Sequence, residues 1–470
     1  MSKLFKKPTN SIDKKVVDKG FNIFGLTENP FPSTPFVNQN SPEKKYNGTI
    51  YDDSIREKEY LKLLRNFIQI PQSDLDHLRL GFIAENSFLG RGNGKSSFLL
   101  HVLKNLNEEY CLNLSNNQNK CFSVYVVPEG SGKVKSFDKF LDGIVSSIFN
   151  SGIINESLAI LRYEAIERLN AWKEGEAPII PDNIDEFVNL FNNKDWLNKN
   201  TNIYTNELTR EILKVEWLSS VSGDFPLTQN LKSTNHLVTN SDFIDHYKSL
   251  RKEQDKLNFV FNDLVKFFLS VGFNGSYILI DDFERIPDFQ SSNQKKEFAT
   301  QLRTILFDGG YLNAKIGFFN FIFALHAGVP RIMQEAWGLS GLEQRVPMIN
   351  SDDQRHAIEF VKLNQDHAVK IISTYLNEFR TADYKGDKLH PFNEDSIKKL
   401  AVNSEMNISK ILRNANNIID QAISNGLSEI TVDIVNKFIA NDKYSDNPDE
   451  TSFKVKSVEI NLEDKLDGDK

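Results

Sequence analysis

Cysteine is nearly absent. The 470-residue chain has two, Cys111 and Cys121, at a separation that fits no metal-binding pattern. That argues against a disulfide-stapled scaffold and against a thiolate metal site, and it predicts two inert thiols in a reducing compartment. Long apolar runs are also missing. The longest, Ile316 to Gly328, is interrupted by Asn320 and His326 and reads as a buried strand, well short of the roughly 20 residues that span a bilayer. Met1 to Lys19 is lysine-rich but has no apolar centre or cleavage signature, so it does not read as a signal peptide. There is no surplus of positive charge: 56 Lys and Arg against 64 Asp and Glu leave −8, which disfavours a surface coated for nucleic acid and allows local basic patches. These absences predict a cytoplasmic globular protein with no membrane partner. At 40% hydrophobic, the chain is long enough for two or three domains.

What is present centres on Leu78 to Leu100. An apolar run, Leu80 to Ala84, leads into Gly90-Arg91-Gly92-Asn93-Gly94-Lys95-Ser96-Ser97, and a helical pattern follows at Phe98, Leu99, Leu100 and Val102. Glycines let successive backbone N–H groups turn inward around phosphate oxygens, where a side chain would clash. The helix start adds partial positive charge. Lys95 can reach β- and γ-phosphates, and the Ser96 hydroxyl can ligate Mg²⁺. The spacing departs from the G-x-x-x-x-G-K-[ST] pattern in one place: Leu89 stands at the first glycine position, and glycine comes one residue later.

A second acidic motif lies downstream. Tyr277 to Ile280 is a short apolar run of the kind that forms a buried parallel strand, and it ends in Asp281-Asp282, with Glu284 two further on. Carboxylates at the C-terminal end of such a strand can hold Mg²⁺ and orient an attacking water. Asp281 is the candidate for the metal. Asp282 and Glu284 both remain candidates for the water.

On these two motifs the chain resembles the P-loop NTPases with an additional strand, and within them the AAA+ and signal-transduction group, including initiator- and transposition-regulator-like ATPases. The resemblance implies a three-layer α/β core with a C-terminal helical lid, ATP and Mg²⁺ as cofactors, and assembly into a homo-oligomer. It implies further roles for particular residues. His326, or else Asn320, ends the next strand and helps to position water. Arg345, or else Arg331, reaches a neighbour's γ-phosphate from just before a last strand at Val346 to Ile349. Arg413, near the start of the lid's third helix, senses the nucleotide. Arg56-Glu57 opens the helix ahead of the P-loop. The proline-punctuated segment Phe21 to Val37 lies across the core, either near the adenine or as simple packing.

The rest of the chain divides around these parts. Residues 1–20 and 441–470 are polar and read as disordered tails. Core segments at 21–150 and 256–350 flank a helical insertion at 151–255, with a long loop near Gly223–Asn240, and the lid occupies 351–440. Pro128 to Lys133 imitates a second phosphate loop but is followed by Val134, not Ser or Thr. Lys133, Lys135 and Lys139 are candidates for DNA phosphate contact or a solvated face. The whole predicts a slow regulatory ATPase that switches assembly or partner binding, with a protein partner and with DNA or antiviral defence as settings. The alternative is a nucleotide-dependent adaptor with little turnover.

Overall fold

A computed structural model describes residues 20–68, 78–85, 91–112, 119–130, 132–173, 178–232, 235–326, 328–348 and 354–442. Its centre is a sheet of five strands: β1 (Leu80–Glu85), β2 (Cys121–Val126), β3 (Gly275–Ile280), β4 (Phe319–Leu325) and β5 (Ala357–Phe360). All pairs are parallel and the order is β2-β3-β4-β1-β5. β4 therefore lies between β1, which leads to the glycine-rich stretch, and the acidic strand β3. Every residue of β3 and β4 is buried, as continuous apolar runs require when both faces are covered.

Alternation along the strands divides the core in two. Ile278 and Ile280 of β3, with Phe319, Phe321 and Phe323 of β4, face one layer of helices. Tyr277 and Leu279, with Ile322 and Ala324, face the other, where Phe98, Leu99, Val102 and Leu106 of the helix Lys95–Asn107 pack. This is the expected three-layer α/β core with its helical parts.

The residues between β2 and β3 are helical, and Leu158, Leu161, Leu208, Phe225 and Phe243 join the core on the first face. The stretch read as a long loop near Gly223–Asn240 carries short helices at Pro226–Gln229 and Asn230–Lys232, with residues 233–234 outside the description. Among the described residues no single helix is long and apolar enough to cross a membrane.

Two expectations are corrected. The last strand is not at Val346 to Ile349: Val346 to Met348 follows a turn without strand pairing, Ile349 lies outside the described residues, and the edge strand is β5. That strand is four residues with alternating exposure, a weak pattern in sequence. The N-terminal phenylalanines do not lie across the sheet. Phe21, Phe24 and Phe31 are buried with Ile372, Leu376, Phe392, Ile411 and Ile418 in the C-terminal helical unit. Asn29 ties the segment there, its Nδ2 donating to the Asn416 carbonyl at 3.0 Å, while Asn416 Nδ2 donates to the Phe31 carbonyl at 2.7 Å. Three prolines prevent regular structure, so the segment is held by side-chain burial and such bonds instead.

Candidate functional site

A cleft of about 1140 Å³ opens at the C-terminal edge of the sheet. Its lining includes Arg91 to Ser97, Tyr125, Asp281, Asp282, Glu284, Arg285 and His326 from the core, and Asn407 to Lys410 and Arg413 from the lid. Pro32 to Asn40 closes another side, with Phe36 63% exposed there. Gly90 lies outside the described residues, as does Leu89.

The helix Lys95–Asn107 starts at Gly94, whose φ of 83° is left-handed, and Gly92 has φ 94°. Both positions are also crowded by the lid. A Cβ on Gly92 would come within 2.8 Å of Asn407 Oδ1 and of Ser409 Cβ and Oγ, and one on Gly94 within 2.9 Å of Ile408 Cδ1. Here glycine serves conformation and close approach together. The lid helix Ile408–Ser424 presents its N-terminus to the loop: Ser409 N donates to the Gly92 carbonyl at 3.1 Å, and Asn407 Nδ2 donates to the Arg91 carbonyl at 2.5 Å.

At the end of β3, Asp281 is buried. Its Oδ2 accepts from the Tyr125 hydroxyl at 2.7 Å and its Oδ1 from the Asp282 amide at 2.9 Å. Ser96, Tyr125 and Asp281 all line the same cleft. Burial and the Asp281 charge push the Tyr125 phenol far up, so it stays a proton donor. Neighbouring strands explain the meeting: β2 pairs with β3, Tyr125 opposite Leu279 and Val126 opposite Ile280.

The two later acids differ. Asp282 sits at φ 47°, a left-handed conformation that Asp tolerates, and ion-pairs with Arg285. Glu284 is more enclosed, its side chain 13% exposed, with Arg91 Nη2 3.6 Å from Oε1. Burial, reinforced by the Asp282 charge, raises the Glu284 carboxyl above the ordinary glutamate value, against the opposing pull of Arg91 and Lys95. Burial first, then Arg91 and Lys95, lower the His326 imidazole, which favours its neutral form.

One residue was not anticipated as part of the site, and another was anticipated with a different partner. Glu85, the last residue of β1, is buried and its Oε1 lies 2.6 Å from Lys95 Nζ. Arg56 is buried, reaching Glu59 Oε1 at 2.9 Å, the Val361 carbonyl at 2.8 Å and the Asn93 carbonyl at 3.4 Å. Its acidic partner is thus Glu59 and not the exposed Glu57. The signals available were a carboxylate closing a strand and an arginine–acid pair one helical turn apart.

The structure brings together Arg91 to Ser97, Asp281, Asp282, Glu284, His326 and Arg413. Asn320 is elsewhere, its Nδ2 donating to the Gly317 carbonyl at 3.0 Å inside the core. Arg345 and Arg331 are exposed and do not line the cleft. Of the lysines after β2, Lys133 pairs with Glu129 at 3.0 Å and Lys139 with Asp142 at 3.1 Å, which reduces the positive field there. Among the described residues no group of three or more His, Cys, Asp or Glu stands ready to hold a metal ion.

A scan against protein-family models matches none, and a search of the curated proteins finds no relative. Among solved structures the chain is similar to the Aeropyrum pernix ORC2 protein. The ADPNP–ADP complexes match with a TM-score of 0.39 and 10% identity, over 86% of this chain and 70% of that one. The ADP form matches with a TM-score of 0.40 and 11% identity, over 86% and 71%. Likeness at this level leaves function to the residues of the cleft.

Proposed function

We propose that the chain is a regulatory ATPase that binds ATP with Mg²⁺ in this cleft and couples nucleotide state to assembly or partner binding. The observation that carries it is the convergence of Lys95, Ser96 and Asp281 at one sheet edge, beside a helix N-terminus and under a lid that presents Arg413. Lys95 and the inward backbone amides of the loop bind the phosphates. The Ser96 hydroxyl and the Asp281 carboxylate, both lining the cleft, are hard oxygen donors of the type Mg²⁺ takes alongside water and phosphate. When bound, that cation supplies positive charge to the β- and γ-phosphates. Phe36 and the prolines beside it offer the base an apolar wall.

Glu284 is the better water-orienting acid. Its raised carboxyl suits a proton acceptor, whereas Asp282 is already held by Arg285. His326, kept neutral, fits a hydrogen-bonding role beside it. Arg413, exposed on the lid and lining the cleft, is the candidate for contact with the γ-phosphate. Arg345, exposed and outside its own cleft, is available to a neighbouring copy, so the reading includes a homo-oligomer. A protein partner is expected, and DNA is the further partner to test. The adaptor reading, with little turnover, draws on the fact that Lys95 and Asp282 both already have internal partners.

Mass photometry of wild type and Lys95→Ala, with and without Mg-ATP and duplex DNA, tests this. Nucleotide-dependent growth in mass that the variant lacks supports the oligomeric switch, and further growth with DNA adds that partner. A fixed mass despite measured ATP binding favours the adaptor. No ATP binding ends both readings.

A further inference from the structure

Glu85 has no part in the function proposed above, yet it is in direct contact with the residue on which that function depends. Its side chain is 0% exposed, and Oε1 lies 2.6 Å from Lys95 Nζ, which is itself only 14% exposed. Asn93 Nδ2 is 3.5 Å from the same oxygen. The other oxygen, Oε2, is buried with no hydrogen-bond partner among the described residues. A buried carboxylate with one oxygen unsatisfied is costly, so fold stability alone is a poor account of it.

The geometry creates a conflict. The ammonium that should meet β- and γ-phosphates is already in close contact with a carboxylate. A phosphate placed on Lys95 while Glu85 remains there sets two anions around one cation in a poorly solvated site, where like charges repel much more than in water. Asp281 has no such conflict, because its oxygens are taken by a hydroxyl and an amide and not by the lysine.

We propose that Glu85 is an internal competitor for Lys95: it holds the lysine in the nucleotide-free protein, and a phosphate-bearing ligand binds only by displacing it. This rests on the nucleotide reading of the cleft. The consequence is a site whose affinity is set below what its loop can give, so that occupancy follows nucleotide concentration instead of saturating at all times. Glu85 is thus a residue that tunes affinity through Lys95, with no chemistry of its own.

The test is isothermal titration calorimetry of the full chain with Mg-ADP and with inorganic pyrophosphate, comparing wild type, Glu85→Gln and Glu85→Asp. Gln keeps the shape and removes the charge. Glu85→Gln is expected to tighten binding of both ligands by about tenfold or more, as removal of a close like charge predicts. Glu85→Asp keeps the charge on a shorter arm that grips Lys95 less closely, and is expected to bind both ligands more tightly than wild type and less tightly than Glu85→Gln. Binding unchanged or weakened in a folded Glu85→Gln, judged by its melting temperature, overturns the competitor role while leaving the nucleotide site intact. If Gln does not fold, Asp decides: binding equal to or weaker than wild type overturns the role, and tighter binding supports it. Silence of wild type and variants toward both ligands ends the nucleotide reading and this proposal together.

Discussion

The sheet and the lid reach the same loop by different physics. Sheet groups emerge from strand ends whose register is fixed by parallel pairing, on both sides for all but the edge strands β2 and β5. Asp281, in particular, is locked by Tyr125 on one oxygen and by the Asp282 amide on the other. The lid reaches the loop through one helix N-terminus, by way of Ser409 N and Asn407 Nδ2 on two loop carbonyls. Its own apolar cluster is separate from those of the sheet and is completed by the N-terminal phenylalanines. Two hydrogen bonds, each worth about 0.5–1.5 kcal/mol net, are easily exchanged for water. On the proposed reading, groups that set the chemistry therefore belong to the rigid part, and Arg413, the proposed nucleotide sensor, belongs to the part that can let go.

The largest effects should follow damage to the rigid side. Lys95→Ala removes the cation proposed to bind the phosphates and is expected to weaken ATP binding by about 100-fold, the equivalent of one strong charge-assisted bond. Calorimetry measures this directly, and affinity within threefold of wild type would show that the loop does not hold phosphates. Glu284→Gln comes next, with hydrolysis expected to fall by about 100-fold or more for loss of a proton acceptor. Asp282→Asn, which keeps the left-handed backbone accessible, should cost less than about fivefold if Glu284 is the acid that counts. The reverse order would return the role to Asp282. Burial holds the Glu284 carboxyl above the ordinary glutamate value, and the ionised form is the one required. Hydrolysis should therefore decline on the acid side at a higher pH than an ordinary glutamate would give, and that limb should vanish from the residual rate of Glu284→Gln.

The contrast also separates what was legible in the chain from what was not. β1, β3, the loop and the lid helix Ile408–Ser424 could be read because each is a local pattern: apolar runs, a glycine string, and a 3.6-residue repeat closed by Asn425-Gly426. Tyr125 could not, because a tyrosine in a strand reads as apolar, and only the pairing of β2 with β3 shows where its hydroxyl goes. Glu85 was visible as a polar residue closing an apolar run, but its importance lies in a partner on the next element. The burial of Phe21, Phe24 and Phe31 was predictable. Their place on the lid was not, since hydrophobicity is non-directional and does not choose between two apolar surfaces.

Gly92→Ala tests whether loop and lid must touch. The substitution puts a Cβ at φ 94°, within 2.8 Å of side-chain atoms of Asn407 and Ser409. Either the loop distorts or the lid moves away, at about 1–2 kcal/mol for the strained backbone alone. Limited proteolysis between β5 and the helix Gln365–Glu378 should then quicken. Gly223→Ala, with nothing within 4 Å of its added Cβ, should leave cleavage unchanged. Equal cleavage of both variants would mean that the lid contact does not restrain the lid.

Asn407→Ala is the mildest and sharpest of these tests. Asn407 does two things at once: its Oδ1 accepts from Lys410 N at 3.1 Å to cap the lid helix, and its Nδ2 donates to the Arg91 carbonyl. Loss of the cap alone costs about 1 kcal/mol. Asn407→Ser keeps an oxygen that can cap but has no amide to reach across to the loop. If the cross-contact matters, Ser should restore the melting temperature but not the lid's protection in the nucleotide-free protein, as measured by amide hydrogen exchange over Ile408–Ser424. If Ser restores both, the residue serves its own helix only, and the lid is held by Ser409 and the apolar packing around Ile408.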